Sequence, residues 1–110
     1  MPSKQATKTA AQIRAMRRVQ ADKMEDYLTE WGFDFCRGCG TNKQPIDWSH
    51  HLRQGLRPDL RDDPRNMERM CRAKCHPAVE SGNFEGLING AEIRAYIEEH
   101  EERLLHIKPR

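Results

Sequence analysis

The sequence predicts a small α+β fold, and three observations carry that reading. Apolar residues recur at three- and four-residue steps near each end of the chain, as on amphipathic helices. The middle is broken by Gly and Pro and holds two short β-prone runs. All four cysteines fall in that middle, as two close pairs. The 110 residues suffice for one domain, but only 36% are hydrophobic and 33% are charged. Burial alone therefore leaves little surplus over the entropy of ordering the chain, and a metal staple would supply what the core lacks.

Residues 1–8, polar with Lys4 and Lys8, read as a disordered basic tail. Thr9 suits an N-cap, and the helix it opens (residues 9–32) stops at Gly32. Ile13, Met16, Met24, Tyr27, Leu28 and Trp31 share one stripe of this helix, and Arg14, Arg17, Arg18 and Lys23 decorate the rest. Residues 33–83 form the central segment. Ile46 to Leu52 is its first β candidate and Met67 to Met70 the weaker second. Arg53 to Arg65 reads as loop, with Gly55, Pro58 and Pro64 as breakers, and His76 to Ser81 opens a short helix that Gly82 ends. In residues 84–110, Asn89-Gly-Ala-Glu92 reads as a capping box with Asn89 as the cap. Ile93, Tyr96, Ile97, His100 and Leu104 then form the stripe of an acidic final helix, with Pro109 beyond its end.

The net charge of +2 hides a gradient. Residues 1–23 carry six Lys or Arg against one Asp, and residues 79–106 carry seven Glu against two Arg. A basic front end can neutralise phosphates and an acidic rear repels them, although two solvated helix faces of opposite sign give the same pattern. The polar start MPSKQATKTA is unlike a signal peptide, and no run reaches the roughly 18 apolar residues of a membrane span. Thiols in a reducing cytoplasm, free to bind metal, are the expectation.

Cys36-Arg-Gly-Cys39-Gly40 is a strong half-site for tetrahedral zinc, because Gly38 and Gly40 permit the tight turn that aims backbone N–H groups at the sulfurs. Cys71-Arg-Ala-Lys-Cys75 supplies the other half with a spacer one residue longer than usual, so His76 is an alternative fourth ligand. Between and beside the pairs lie His50, His51, Asn66 and His76. Singly each has an ordinary reading: strand content, a turn residue, a bystander of a zinc ligand. Their joint order carries the weight, because activated water and charge neutralisation at phosphorus need such groups.

The order Cys-x2-Cys, His-His, Asn-x4-Cys, Cys-His resembles the HNH nuclease superfamily over roughly residues 33–83. The resemblance implies a ββα-metal centre and a metal-dependent DNA endonuclease, phage-encoded and acting in the cytoplasm of a bacterial or phage-infected cell. It implies a structural Zn²⁺ on Cys36, Cys39, Cys71 and Cys75, and a second divalent ion such as Mg²⁺, Mn²⁺ or Ni²⁺. In that family one histidine is the general base, a neighbour of the base and a residue on the following helix hold the ion, and an Asn braces the base. The general pattern makes His50 and His76 ligands, His51 the base and Asn66 the brace. A narrower similarity to phage recombination nucleases, carried by Asp47-Trp-Ser-His50, Leu60-Arg61, Asn66 and Cys71, makes His50 the base and Asp47 a helper. We take His51 as the base, because that leaves a complete ligand set.

The DNA contacts expected of such an enzyme fall on Arg14, Arg17 and Arg18 and on Arg53, Arg57, Arg61 and Arg65, with Arg69 and Arg72 close by. They would grip the backbone rather than read bases. Asp59, Asp62 and Asp63 offset some of these cations, and Trp48 suits a core position better than a stacking platform. No membrane is expected as a partner; a protein partner or a homodimer is compatible. Two other classes fit the same residues: a non-catalytic zinc-finger DNA-binding or adaptor protein, and a structural zinc module that engages a protein through the acidic helix.

Overall fold

The computed structural model describes residues 9–106. The expected tail at residues 1–8, and Pro109 with the end of the C-terminal segment, lie outside the described residues. In order come helix α1 (Ala10–Trp31), strand β1 (Ile46–His50), strand β2 (Met67–Cys71), helix α2 (Cys75–Glu80) and helix α3 (Gly90–Glu101). Single 3₁₀ turns at Pro58–Leu60 and Pro64–Asn66 fill the loop between the strands, and another, Glu102–His106, follows α3. The result is a small α+β fold around a two-stranded antiparallel sheet. No helix among the described residues is long and apolar enough to cross a membrane.

Thr9 caps α1 reciprocally with Gln12: the Thr9 hydroxyl accepts from the Gln12 N–H at 3.1 Å, and the Gln12 carbonyl oxygen accepts from the Thr9 N–H at 2.9 Å. Gly32 ends the helix at φ 84°, a left-handed turn that a Cβ would strain. The apolar stripe read in this helix does not become core. No residue of α1 is buried, and Leu28 and Trp31 stand exposed. The hydrogen bonds that tie α1 to the body come from its second half. Lys23 donates to the carbonyls of Pro64 and Met67, and the Tyr27 hydroxyl donates to Glu68 at 2.6 Å.

The strands pair from Ile46 opposite Cys71 to His50 opposite Met67. Strand β1 stops at His50, short of the expected Leu52, because the chain bends there and Asn66 takes over both backbone groups of Leu52. Strand β2 gains Cys71, whose N–H donates to the Cys36 sulfur at 3.1 Å. A lone two-stranded ribbon is marginal in water, so its stability rests on what covers it. That cover is a core of Leu52, Met70, Val79, Phe84, Ile93, Tyr96 and Ile97 with three of the cysteines. Helix α3 buries Ile93, Tyr96 and Ile97 as its spacing predicts. Its expected cap is corrected: the Asn89 side chain makes no capping bond and is buried beside the Met70 sulfur, 3.7 Å away. Helix α3 opens at Gly90, where a Cβ would lie 2.5 Å from the Phe84 carbonyl oxygen.

Candidate metal centre and histidine site

The cysteine sulfurs converge. The ligand atoms of Cys36, Cys39, Cys71 and Cys75 all lie within 4.8 Å of one another, and the Cys39 and Cys71 sulfurs are 3.9 Å apart. Tetrahedral zinc with bonds of about 2.3 Å sets sulfurs roughly 3.8 Å apart, so the donor set fits that ion. The knuckle Cys36-Arg-Gly-Cys39 is pinned to β2 by the Arg37 N–H on the Arg69 carbonyl, 2.8 Å. Gly40 turns at φ 83°, and a Cβ on Gly38 would lie 2.9 Å from the Cys75 sulfur.

Backbone N–H groups point at the sulfurs: Gly38 at Cys36 (3.3 Å) and Cys75 at Cys71 (3.3 Å). At Cys71 burial opposes ionisation, but the N–H groups of Cys75 and Lys74 outweigh it and lower the thiol to about 7. Burial raises Cys75 well above the ordinary thiol range. The long spacer causes no loss of the fourth ligand. Residues 72–74 make a turn that brings Cys75 into the cluster, while the His76 ring goes to Asp47.

Asn66 is fully buried and triply bonded. Its carbonyl oxygen accepts from the Leu52 N–H at 2.8 Å, and its amide donates to the carbonyls of Leu52 (3.0 Å) and Leu60 (3.1 Å). The His51 backbone N–H donates to the backbone carbonyl of Asn66 at 2.8 Å. The Asn66 side chain thus fixes the bend at Leu52, next to His51. His51 itself is largely buried, edge-on to Tyr96 with ring centroids 5.8 Å apart. Its Nδ1 is buried with no hydrogen-bond partner among the described residues. Burial, with Lys23 and His50 nearby, lowers its pKa to about 4, so the ring is neutral near pH 7.

Two cavities meet at His51. One, of about 820 Å³, lies between the 51–56 segment, the end of α2 and α3, with Arg53, Glu80 and Arg94 on its walls. The other, of about 390 Å³, lies toward α1 with Lys23, Arg37 and Arg65.

His50 and His76 have separate neighbours. His50 Nε2 lies 3.0 Å from the Arg61 carbonyl oxygen; a carbonyl only accepts, so Nε2 carries the proton. Alternation along β1 sets Asp47 and Ser49 on one face and Trp48 and His50 on the other. His76 Nδ1 is 3.5 Å from Asp47, and its Nε2 is 3.8 Å from Glu80. The Arg72 guanidinium beside Asp47 holds that carboxyl below its usual range. Among the described residues, the cysteines are the one set of three or more His, Cys, Asp or Glu close enough to hold an ion.

Several expected phosphate contacts are already spent on carboxylates. Arg57 binds Asp59 and Glu101, Arg65 binds Glu99, Arg69 binds Asp34 and Arg72 binds Asp47. The Arg61 Nε is buried without a partner, and Trp48 is half-buried beneath Arg69. Sequence reasoning missed Tyr96, which donates to Asp63 at 2.6 Å and packs on both His51 and His100. Its spacing marks it as core, and nothing local links it to a histidine 45 positions away.

The neutral state of His51 has a measurable cost. Between pH 6.5 and about 4 the unfolded chain takes up a proton that native His51 refuses, so stability falls as pH drops through that window. The loss amounts to about 3 kcal/mol on completion. Urea unfolding at pH 7 and pH 4.5 should show this drop in the wild type and a smaller one in His51→Gln.

No family model matches the chain, and no curated protein or solved structure matches it.

Proposed function

We propose that the protein is a metal-dependent DNA endonuclease of the HNH type, held together by a structural zinc. The observation that carries the reading is the His51–Asn66 arrangement: a neutral imidazole with an unpartnered buried Nδ1, set at the junction of two cavities by a buried asparagine. Buried polar atoms are nearly always paired, and an orphan in a cleft marks a group kept for another partner. In this reading His51 takes the proton from the attacking water, and Asn66 holds the backbone bend beside it. Asn66 acts through the backbone at Leu52 and is a positioning residue.

The second ion's ligand set is revised. Asp47 and His76, 3.5 Å apart, offer one oxygen and one nitrogen donor, a pair that suits a borderline divalent ion such as Mn²⁺ or Ni²⁺, whereas His50 is held on the opposite strand face by Arg61. Water and phosphate oxygens would fill the remaining positions, and the ion would neutralise charge building on the phosphate. Phosphate contact away from the site falls to Arg53, on the wall of the larger cavity, and to Arg14, Arg17 and Arg18, none of which has a salt-bridge partner among the described residues.

Incubation of zinc-loaded protein with supercoiled plasmid and Mg²⁺, Mn²⁺ or Ni²⁺ tests the proposal. Nicked or linear product that disappears with EDTA is expected. DNA binding without product under any of these ions would instead support the zinc-finger reading, for which the cysteine cluster alone suffices.

A further inference from the structure

Helix α1 is 22 residues long and buries none of them. A helix that is polar nearly all round and lacks a core face is marginal in water unless something covers it. Its tethers, Lys23 and Tyr27, lie in its second half and on one side. Among the described residues, no side-chain hydrogen bond ties the three turns before them to the body, although Ile13, Met16, Val19 and Gln20 are partly covered.

On the adjoining side of α1, Ile13, Arg17, Gln20, Met24, Leu28 and Trp31 follow one another at steps of three and four residues. Leu28 and Trp31 are each 46% exposed. Charge is polarised along the same helix. Arg14, Arg17 and Arg18 occupy the first half, and Asp22, Glu25, Asp26 and Glu30 the second. Apart from Lys23, the charged side chains of α1 enter no salt bridge among the described residues. A helix basic at one end and acidic at the other is complementary to itself reversed, and the antiparallel helix dipoles agree.

We propose that α1 pairs antiparallel with α1 of a second copy of this chain, about a twofold axis near residue 22. In that register Ile13 lies across from Trp31 of the second copy and Gln20 from Met24. Arg18 flanks Glu25, and the symmetry makes each contact twice. The pairing covers the apolar stripe that the monomer leaves in water and gives the first half of α1 a reason to be helical. It uses no residue of the histidine site, but it takes Arg17 and Arg18 from the proposed phosphate contacts, which in the dimer fall to Arg14 and Arg53.

Sedimentation equilibrium of the zinc-loaded full chain, from micromolar to submillimolar concentration, is the test. The expected mass is twice 12.9 kDa, reverting toward the monomer at high salt. Arg18→Glu and Glu25→Arg should each weaken the dimer at least about tenfold, and their equimolar mixture should restore it. Met24→Asp should give a monomer at any salt, with circular dichroism and zinc content reporting that the fold persists. A wild type that stays monomeric throughout overturns the proposal. If, in addition, Arg14, Arg17 and Arg18 changed together to Gln flatten the salt dependence of DNA binding, the occupant of this helix is DNA. A dimer that survives all the single variants overturns it as well.

Discussion

Replacing Cys36, Cys71 or Cys75 with Ala should leave the middle of the chain unfolded at room temperature. These three side chains are buried, and with Cys39 they form the cluster that joins the knuckle to β2 and α2. Structural zinc in small domains is worth on the order of 10 kcal/mol near neutral pH, comparable to the whole stability of a domain this size. The lost sulfur also removes an acceptor: Cys36 takes N–H groups from both Gly38 and Cys71. Loss of zinc by elemental analysis together with loss of the cooperative melt is the expected result. Chelation of the wild type should reproduce it, and stability should return when zinc is added back. A wild-type protein that melts cooperatively with no bound metal would show that the four thiols serve only as core.

Replacing His51 with Ala should remove most DNA cleavage, about 10²–10⁴-fold, while the zinc stays bound. The acid limb of the pH–rate profile separates the candidates. A base that titrates at about 4 stays competent down to that pH, whereas an ordinary histidine loses its lone pair near 6.5. A limb near 4 in kcat/KM, which reports the free enzyme, fits His51 and excludes an ordinary histidine as the base. If His50→Ala is inactive at every metal concentration and His51→Ala cuts normally, the base is His50 and not His51. Asn66→Ala should cost both activity and stability, because it strands the buried N–H and C=O of Leu52. Defects of Asp47→Ala and His76→Ala should be eased by excess divalent ion, the signature of weakened coordination.

The parts of this fold legible in the sequence are those fixed by local chemistry. Thr9 and Gly32 bound α1 because a cap and a left-handed stop need those residue types. The spacing of Ile93, Tyr96 and Ile97 placed their common face in the core. The cysteine pairs announced their convergence, whereas the burial of Asn66 shows only in the fold. What the sequence hid depends on long-range packing. Asn89 looks like a cap, but in the fold its side chain is buried beside the Met70 sulfur and makes no capping bond. The stripe of α1 looks like core, yet the body meets this helix through Lys23 and Tyr27. The sequence offers Asp59, Asp62 and Asp63 as offsets for the arginines of residues 53–72, and only the fold reveals that Glu99, Glu101, Asp34 and Asp47 also bind Arg65, Arg57, Arg69 and Arg72.

The most direct test of the proposed chemistry is plasmid cleavage by wild type and His51→Ala, with zinc counted in the same samples. We expect one zinc per chain in both proteins, product with Mg²⁺ or Mn²⁺ in the wild type only, and none when the exchangeable ion is left out of the zinc-loaded protein. Equal cleavage by the two proteins, or intact plasmid with a wild type that holds its zinc, would contradict the role assigned to His51.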